Sequence, residues 1–200
     1  MSRILESHTR RLSLAICLID NYANKPPLGA VNISLKYQKY KATGSPSGYY
    51  VFLNLPDETY TVQARSDFYF DEDVEVTPSS LNLLNPVKKI WLKPNPAYPF
   101  PLGATLIRGL VLDSNKKTVS DAMVEITGKN IKTVTSEKGE FVLCFPPLKE
   151  TEIIKENGKR FVKGNGNKKI HIKATHLAGL GETDIEVEEG STSIKYIQLA

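Results

Sequence analysis

Apolar residues alternate with polar ones along most of the chain, in runs of about four to eight residues. Val31, Ile33 and Leu35 share one side of such a run, and the segment 60–64 alternates in the same way. A period of two is typical of half-buried strands, whereas a helix would place apolar residues three and four positions apart. Gly, Pro, Asn and Asp residues between the runs favour turns. The pattern therefore predicts an all-β protein.

The two halves of the chain carry the same landmarks in the same order, which indicates an internal repeat. The matching segments are 18–20 with 111–113, 29–33 with 122–126, 47–52 with 138–143, 60–64 with 170–174, 74–76 with 185–187 and 90–92 with 197–199. About seven short strands per hundred residues is the usual number for a β-sandwich. We therefore expect two tandem seven-stranded β-sandwiches.

The predicted boundary between the sandwiches is a proline-rich segment. Residues 94–103 contain four prolines, which favour an extended and semi-rigid linker. The first sandwich is then expected over residues 1–93 and the second over residues 104–200. Tyr98 and Phe100 of the linker are expected to pack against a domain.

The run from Gly48 to Val62 resembles the signature of the carboxypeptidase regulatory-like domains. In that signature a glycine and alternating aromatic residues precede Leu-Pro and a Tyr-x-Val strand, here Leu55-Pro56 and Tyr60-Thr61-Val62. The second half carries part of it from Gly139 to Leu143. The resemblance implies a prealbumin-like sandwich in each half, among the carbohydrate-binding-like folds, and it implies no particular activity.

An insertion at residues 150–168 distinguishes the second half, because the first half closes the same connection with Asp57-Glu58-Thr59 alone. Asn157-Gly158 favours a type I′ turn and predicts a hairpin from Thr151 to Lys163. Apolar residues lie on both of its faces, so we expect one face to pack on its own sandwich or on the first one, and the other, ringed by charge, to meet a partner. A disordered loop without a role is the alternative. The predicted interaction residues are Ile153, Lys159, Arg160, Phe161 and Lys163.

The composition is that of an ordinary globular protein, with 40% hydrophobic residues, 24% charged residues and a net charge of +4. This charge is too small to indicate a nucleic-acid partner, and glutamates dilute the basic hairpin. No apolar run approaches the length of a membrane span, so we predict no membrane insertion. Cys17 and Cys144 lie on predicted strands, and both are expected to be reduced and buried.

A cytoplasmic location is the default expectation, and the alternative is an exported protein or part of a surface assembly. The run 12–19 after Arg10-Arg11 meets the lower length limit for the hydrophobic region of a signal peptide, but no small-residue cleavage site follows it.

Motifs for catalysis and metal binding are missing from the sequence. Gly44-Ser45-Pro46 places proline where a nucleophile elbow has serine, and the chain lacks the Tyr-Arg-Gly-Ser end of the transthyretin-like hydroxyisourate hydrolases. His171 and His176 are five positions apart and would face opposite sides of a strand, and His8 stands alone. The acidic run 67–73 lacks the spacing of a calcium loop. We expect no catalytic residues, no metal and no cofactor.

Exposed aromatic side chains are the best candidates for binding, because sugar rings stack on them. Tyr40, Phe68, Tyr69 and Phe70 lie near strand ends or in a loop, where three consecutive aromatic residues cannot all face one core. Packing against the linker or a neighbouring subunit is the alternative. We therefore predict a non-catalytic binding or scaffolding module with a glycan or protein partner. Carbohydrate binding comes first, and a structural spacer or protein-interaction component is the alternative.

Overall fold

The structure, a computed structural model, describes residues 10–200. The chain divides between Ala97 and Tyr98 into two compact units, and this division falls within the segment predicted to be a linker. Regular structure in the described residues consists of sixteen strands and two short 3₁₀ turns, which confirms the predicted all-β class. Within residues 10–200, no helix is long and apolar enough to cross a membrane.

The first unit contains two sheets. Its strands are β1 (Leu12–Asp20), β2 (Asn32–Leu35), β3 (Thr43–Gly44), β4 (Tyr49–Leu53), β5 (Tyr60–Arg65), β6 (Glu72–Val76) and β7 (Val87–Leu92). One sheet has the order β3-β4-β1-β7, and the other has the order β2-β5-β6. A 3₁₀ turn, Pro78–Ser80, lies between β6 and β7.

The second unit contains two sheets and a separate hairpin. Its strands are β8 (Leu106–Leu112), β9 (Met123–Ile126), β10 (Lys132–Val134), β11 (Glu140–Cys144), β12 (Ile153–Glu156), β13 (Lys159–Val162), β14 (Lys169–His176), β15 (Gly179–Glu186) and β16 (Thr192–Gln198). The sheet orders are β11-β8-β16 and β10-β9-β14-β15, and β12 pairs with β13. The second 3₁₀ turn, Glu150–Glu152, precedes β12.

Six strands of each unit follow the same connections. The first strand of each unit, β1 or β8, pairs antiparallel with β4 or β11 and parallel with β7 or β16. The sheet β2-β5-β6 corresponds in order to β9-β14-β15. The units differ at the short extra strand, because β3 pairs with β4 whereas β10 pairs with β9. The shared strand order agrees with the internal repeat of the sequence. That both units are copies of one family's domain stays a prediction.

Apolar side chains from both sheets form the core of each unit. In the second unit one cluster joins Ile107 and Phe141 of one sheet to Val124 and Ile172 of the other. In the first unit the buried residues include Leu14, Ile16, Ile33, Phe52, Tyr60 and Val62. Burial alternates along the strands, as in β5, because successive side chains point to opposite faces. Each unit is thus a β-sandwich.

The turns before β4 and β11 explain the glycine of the sequence signature. The Gly48 amide donates to the Ser45 carbonyl at 3.0 Å, and the Gly139 amide donates to the Ser136 carbonyl at 2.8 Å. The two glycines have φ angles of 82° and 74°. Glycine adopts this left-handed conformation without steric cost. The same turn is therefore built at the same place in both units.

The tyrosine of the signature has a structural role in the first unit. The Tyr60 side chain is buried, and its hydroxyl donates to the Pro56 carbonyl at 3.0 Å. Burial raises the pKa of the Tyr60 phenol to about 12. The family signature usually has a turn glycine where Glu58 stands. The left-handed residue of this connection is Asn54, with a φ of 54°, so the turn does not require glycine at position 58. The Leu-Pro and Tyr-x-Val motifs are thus joined by one hydrogen bond.

Replacing Tyr60 by phenylalanine should lower the free energy of unfolding by about 1 kcal/mol, because a buried hydrogen bond is lost. The contribution of the neutral phenol is present below its ordinary pKa of 10, and it disappears as pH rises from 10 through about 12. Urea unfolding at neutral and alkaline pH measures both effects. Tyr37→Phe is the control, because Tyr37 is exposed and should leave stability unchanged. Equal stability of Tyr60→Phe and the wild type would contradict the assignment.

The two cysteines are free, but they are half-buried and not fully buried as predicted. Both lie on the outward side of their sheet, next to core residues such as Ile16 and Leu143. Desolvation raises the pKa of the Cys144 thiol to about 12.

Cys144 should react slowly with thiol reagents in the native protein, because the thiolate is the reactive form. At pH 8 only about one thiol in ten thousand is ionised when the pKa is about 12. The labelling rate of Cys144 can be measured in a Cys17→Ser variant with a disulfide reagent whose reaction changes the absorbance. We expect fast labelling only after unfolding in urea, and fast native labelling would contradict the prediction.

Candidate functional site

The loop between β5 and β6 carries three of the four aromatic residues predicted to bind a ligand. Tyr69 is 1% exposed, and its hydroxyl donates to the Asp20 carboxylate at 2.8 Å. The same hydroxyl accepts a hydrogen bond from the Leu28 amide at 2.9 Å. Tyr69 is therefore part of the interior, and the prediction that it stacks on a ligand is wrong.

Asp20, the partner of Tyr69, ends the first strand and holds the loop that follows. Its carboxylate is fully buried and accepts hydrogen bonds from the amides of Tyr22 at 2.7 Å and Ala23 at 3.0 Å. Asp113, at the matching position of the second unit, accepts from two amides of its own loop. Aspartate commonly caps loops in this way. The repeated aspartate is thus a structural residue.

Phe68 and Phe70 are half-buried and anchor the segment that follows β7. A Cβ atom at Gly29 would lie 2.9 Å from the Phe68 ring, so the ring covers this glycine closely. The Phe70 amide donates to the Lys93 carbonyl at 2.9 Å, and the Asn95 amide donates to the Phe68 carbonyl at 3.0 Å. The backbones of Phe68 and Phe70 therefore pair with the segment that follows β7, and the Phe68 ring packs on Gly29.

Tyr40 does not join the other three aromatic residues. It is partly exposed, and its ring meets Tyr60 edge-on with centroids 6.4 Å apart. Tyr60 begins β5, whereas Phe68 follows the end of that strand. The four predicted residues therefore lie at two ends of one unit and do not form one site.

The acidic run 67–73 is engaged in ion pairs. Arg65 contacts Asp71 at 2.9 Å and Asp73 at 2.5 Å, and Lys93 contacts Glu72 at 3.2 Å. The hydrogen bond from Arg65 lowers the pKa of the Asp73 carboxyl. No cluster of three or more metal-binding side chains occurs among residues 10–200.

The histidines are engaged separately in the second unit. His171 Nδ1 lies 2.8 Å from Asp184, its cross-strand partner, and Nε2 lies 3.6 Å from Glu182. His176 Nδ1 accepts a hydrogen bond from the Ala178 amide at 3.1 Å. His8 lies outside the described residues. His171 thus belongs to the charged outer face of its sheet.

The inserted hairpin has the turn that its sequence predicts. Asn157 and Gly158 have φ angles of 50° and 76°, the positive values that a type I′ turn requires. The hairpin continues the ladder of the sandwich: the Val162 amide donates to the Val187 carbonyl, and the Glu189 amide donates to the Arg160 carbonyl, both at 2.8 Å. Val162 is fully buried in the core of the second unit. One face of the hairpin therefore packs on its own sandwich.

The basic residues of the hairpin are largely neutralised. Arg160 contacts Glu189 and also Glu150, the latter at 2.8 Å, and Lys159 contacts Glu188 at 2.9 Å. The hydrogen bond from Arg160 is the largest cause that lowers the pKa of Glu150 to about 2. Among the remaining predicted interaction residues, Ile153 and Phe161 are half-buried and Lys163 is exposed. The hairpin thus presents less free positive charge than its sequence indicates.

A small polar pocket lies where the insertion returns to the sheet. Its walls come from the loop after β9, from Gly164 and Asn165, and from Ile170 and His171. These walls contain no large aromatic ring on which a sugar could stack.

The outer faces of the sheets differ in character, a feature that the alternation pattern alone did not reveal. The sheets β2-β5-β6 and β10-β9-β14-β15 carry ion pairs outward, such as Arg65 with Asp73 and His171 with Asp184. Met123 on β9 and Leu180 on β15 are also exposed, at 39% and 43%, but the most exposed large apolar side chains on strands lie on the edge strands of the other two sheets. These are Trp91 on β7, 47% exposed, and Ile194 and Tyr196 on β16, 68% and 62% exposed. Alternation assigns every second residue of a strand to the core. Apolar residues at the intervening positions, such as Trp91, Ile194 and Tyr196, were therefore the sequence signal that could have identified these exposed surfaces.

No family model and no curated protein sequence matches the chain. Solved structures similar to it include a streptococcal ancillary pilin, with 9% identity and a TM-score of 0.30 over 96% of this chain and 69% of that one. The TIE protein of Bacillus anthracis shows 14% identity and a TM-score of 0.29, and the match covers 87% of this chain and 32% of that one. The family 26 carbohydrate-binding module of Eubacterium rectale Amy13K, solved with maltoheptaose, shows 13% identity and a TM-score of 0.22. This match covers 92% of this chain and 91% of that one. At these values the similarity identifies neither a family nor a function.

Replacing Arg160 by glutamine should release Glu150 and Glu189 and loosen the hairpin. The carboxyl carbon of Glu150, followed by NMR, should titrate near pH 2 in the wild type and closer to its ordinary value of 4.5 in the variant. Because the native pKa is lowered, the tether is intact above pH 4.5 and is lost as pH falls toward 2. Lys163→Gln is the matched control, and an unchanged Glu150 titration in Arg160→Gln would contradict the tether.

Proposed function

We propose that the protein is a non-catalytic scaffolding module that binds a protein partner through its exposed edge strands. The observation that carries the proposal is the apolar outward face of β16, where Ile194 and Tyr196 are largely exposed. Their neighbours across the ladder are Arg108 and Leu110 of β8. Leu110 is half-buried, so the apolar surface continues from the edge strand toward the middle of the sheet.

Edge strands suit this role for two reasons. The sheet order leaves one side of β7 without a paired strand, and such a side can pair with an extended segment of another chain. The corresponding side of β16 lies against β15, where the backbones of Leu180 and Ala200 exchange hydrogen bonds, so β16 offers the side chains of its outer face for contact. Large aromatic and aliphatic side chains then supply most of the binding energy, as tyrosine and tryptophan do at many interfaces. Trp91 gives the first unit a comparable exposed residue on its edge strand.

Carbohydrate binding is the second candidate, and a different property of the same residues favours it. Trp91 and Tyr196 are planar, exposed side chains on open sheet faces, and sugar rings stack on such surfaces. The aromatic residues of the loop between β5 and β6 do not serve this purpose, since Tyr69 is buried and Phe68 and Phe70 are half-buried.

The absence of catalysis is part of the proposal. The buried carboxylate of Asp20 caps a loop, and His171 is paired with acidic residues on an open face. These groups have structural contacts that account for them. The compartment stays a prediction, either cytoplasmic or, for a component of a surface assembly, exported.

The double variant Ile194→Ser/Tyr196→Ser should fold normally and lose at least about nine-tenths of the protein partner recovered with the wild-type chain from its native source, as expected for hot-spot residues. Quantitative affinity purification measures the loss, and circular dichroism checks the fold. Leu177→Ser, at a fully exposed loop position, is the matched control and should retain the partner.

A glycan array separates the two candidates. A scaffold should give no signal on it. A specific glycan signal that Tyr196→Ala or Trp91→Ala abolishes would overturn the protein-binding proposal in favour of carbohydrate recognition.

A further inference from the structure

One end of the first unit exposes apolar side chains that its core does not use. Strands β1, β5 and β7 begin near this end, and β2, β4 and β6 end there, so the loops 36–42, 54–59 and 77–86 lie together. The exposed apolar residues at this end, which we call the apolar end, are Leu12, Tyr37, Tyr40, Leu53, Leu83 and Leu84. Single exposed apolar residues are common, but a group on neighbouring loops indicates an interaction surface.

Leu83 and Leu84 are held outward by a rigid turn. They are the two central residues of a turn closed by a hydrogen bond from the Asn85 amide to the Asn82 carbonyl at 3.0 Å. The Leu84 amide also donates to the Asn82 side chain at 2.9 Å, and the Pro86 carbonyl accepts from the Ala15 amide of β1 at 2.8 Å. The two leucines are 77% and 96% exposed. These hydrogen bonds hold the backbone of the turn in the conformation that exposes both side chains.

Tyr37 is exposed and also adopts an unfavourable backbone conformation. It is 93% exposed, and its φ of 62° lies in the left-handed region, which is uncommon for a bulky side chain. The Lys36 amide donates to the Thr61 carbonyl at 2.9 Å and thereby fixes the chain just before it. Strained residues of this kind concentrate at functional positions.

Basic side chains lie on two of the segments at this end, the loop 36–42 and the residues before β1. Exposed lysines at 39 and 41 alternate with the tyrosines of the same loop, and Arg10 and Arg11 precede β1 at this end. The acidic residues on the facing loop are Asp57 and Glu58, and Asp57 accepts a hydrogen bond from the Ser79 amide at 3.0 Å. Tyrosine favours the headgroup layer of a membrane, and clustered lysine and arginine attract anionic lipids.

We propose that the apolar end docks on the surface of an anionic phospholipid membrane. Leu83 and Leu84 enter the boundary of the acyl chains, and Tyr37, Lys39 and Lys41 lie among the headgroups. Two adjacent leucines projecting from a convex turn suit a fluid apolar layer, whereas a protein partner would need a cleft shaped to receive them. The surface is independent of Ile194 and Tyr196, so it can be tested separately from the proposed scaffold.

Co-sedimentation of the full chain with lipid vesicles tests the proposal. The wild type should bind vesicles of phosphatidylcholine mixed with phosphatidylglycerol, and it should bind pure phosphatidylcholine more weakly. Leu83→Ser/Leu84→Ser should lower binding to the mixed vesicles by about tenfold, because the apolar contribution is lost. Leu102→Ser/Leu177→Ser, at fully exposed positions of the second unit, is the matched control and should bind as the wild type does.

A charge variant tests the basic residues. Lys39→Glu/Lys41→Glu should reduce binding to the mixed vesicles severalfold, and Lys132→Glu/Lys138→Glu in the second unit is the control. Circular dichroism and urea unfolding establish that each variant folds.

Three outcomes would overturn the proposal. They are a wild-type chain that does not bind the mixed vesicles, equal binding by the wild type and Leu83→Ser/Leu84→Ser, and equal losses in variants and controls. A wild-type dimer that Leu83→Ser/Leu84→Ser dissociates in sedimentation, without vesicle binding, would assign the apolar end to a contact between chains.

Discussion

Each unit depends on a first strand that is hydrogen-bonded on both sides. β1 and β8 pair antiparallel with one neighbour and parallel with the other, so their backbone groups are satisfied within the sheet. The inward side chains of these strands, such as Ile16 and Ile107, enter the core. The aspartate after the last apolar residue then holds the next loop by its amides. One strand thereby positions its two neighbouring strands, part of the core and the loop that follows it.

In the first unit this arrangement extends to the loop between β5 and β6, at the same end of the sandwich. The Asp20 carboxylate binds the Tyr69 hydroxyl, and Tyr69 lies in a loop whose backbone pairs with Lys93 and Asn95 after the last strand. Removing the Asp20 carboxylate or the Tyr69 hydroxyl would leave the other buried polar group without this partner, which is costly in a low-dielectric interior. These contacts account for the burial of Tyr69, which the sequence predicted to be a ligand-binding residue.

The sequence allowed prediction of features that depend on local order. Alternation located the strands, and Asn157-Gly158 specified the hairpin turn, because both act through neighbouring residues. The burial of Tyr69 depends on Asp20, 49 positions away, and the neutralisation of Arg160 depends on Glu189, 29 positions away. Neither pairing leaves a periodic signal in the sequence. The exposed Ile194 and Tyr196 escaped notice for a related reason, since alternation shows which residues can face a core but not what covers the opposite face.

Surface charge and exposed apolar residues contribute differently to this fold. Exposed ion pairs such as Lys159 with Glu188 are each worth about 0 to 1 kcal/mol, so the hairpin is held mainly by the burial of Val162 and by its backbone ladder. Leu83 and Leu84 contribute still less, because their side chains contact mostly solvent while the backbone of their turn makes the structural hydrogen bonds. Polar residues could occupy both positions without loss of a core contact. Folding alone therefore does not account for two leucines at that turn, and a binding role does.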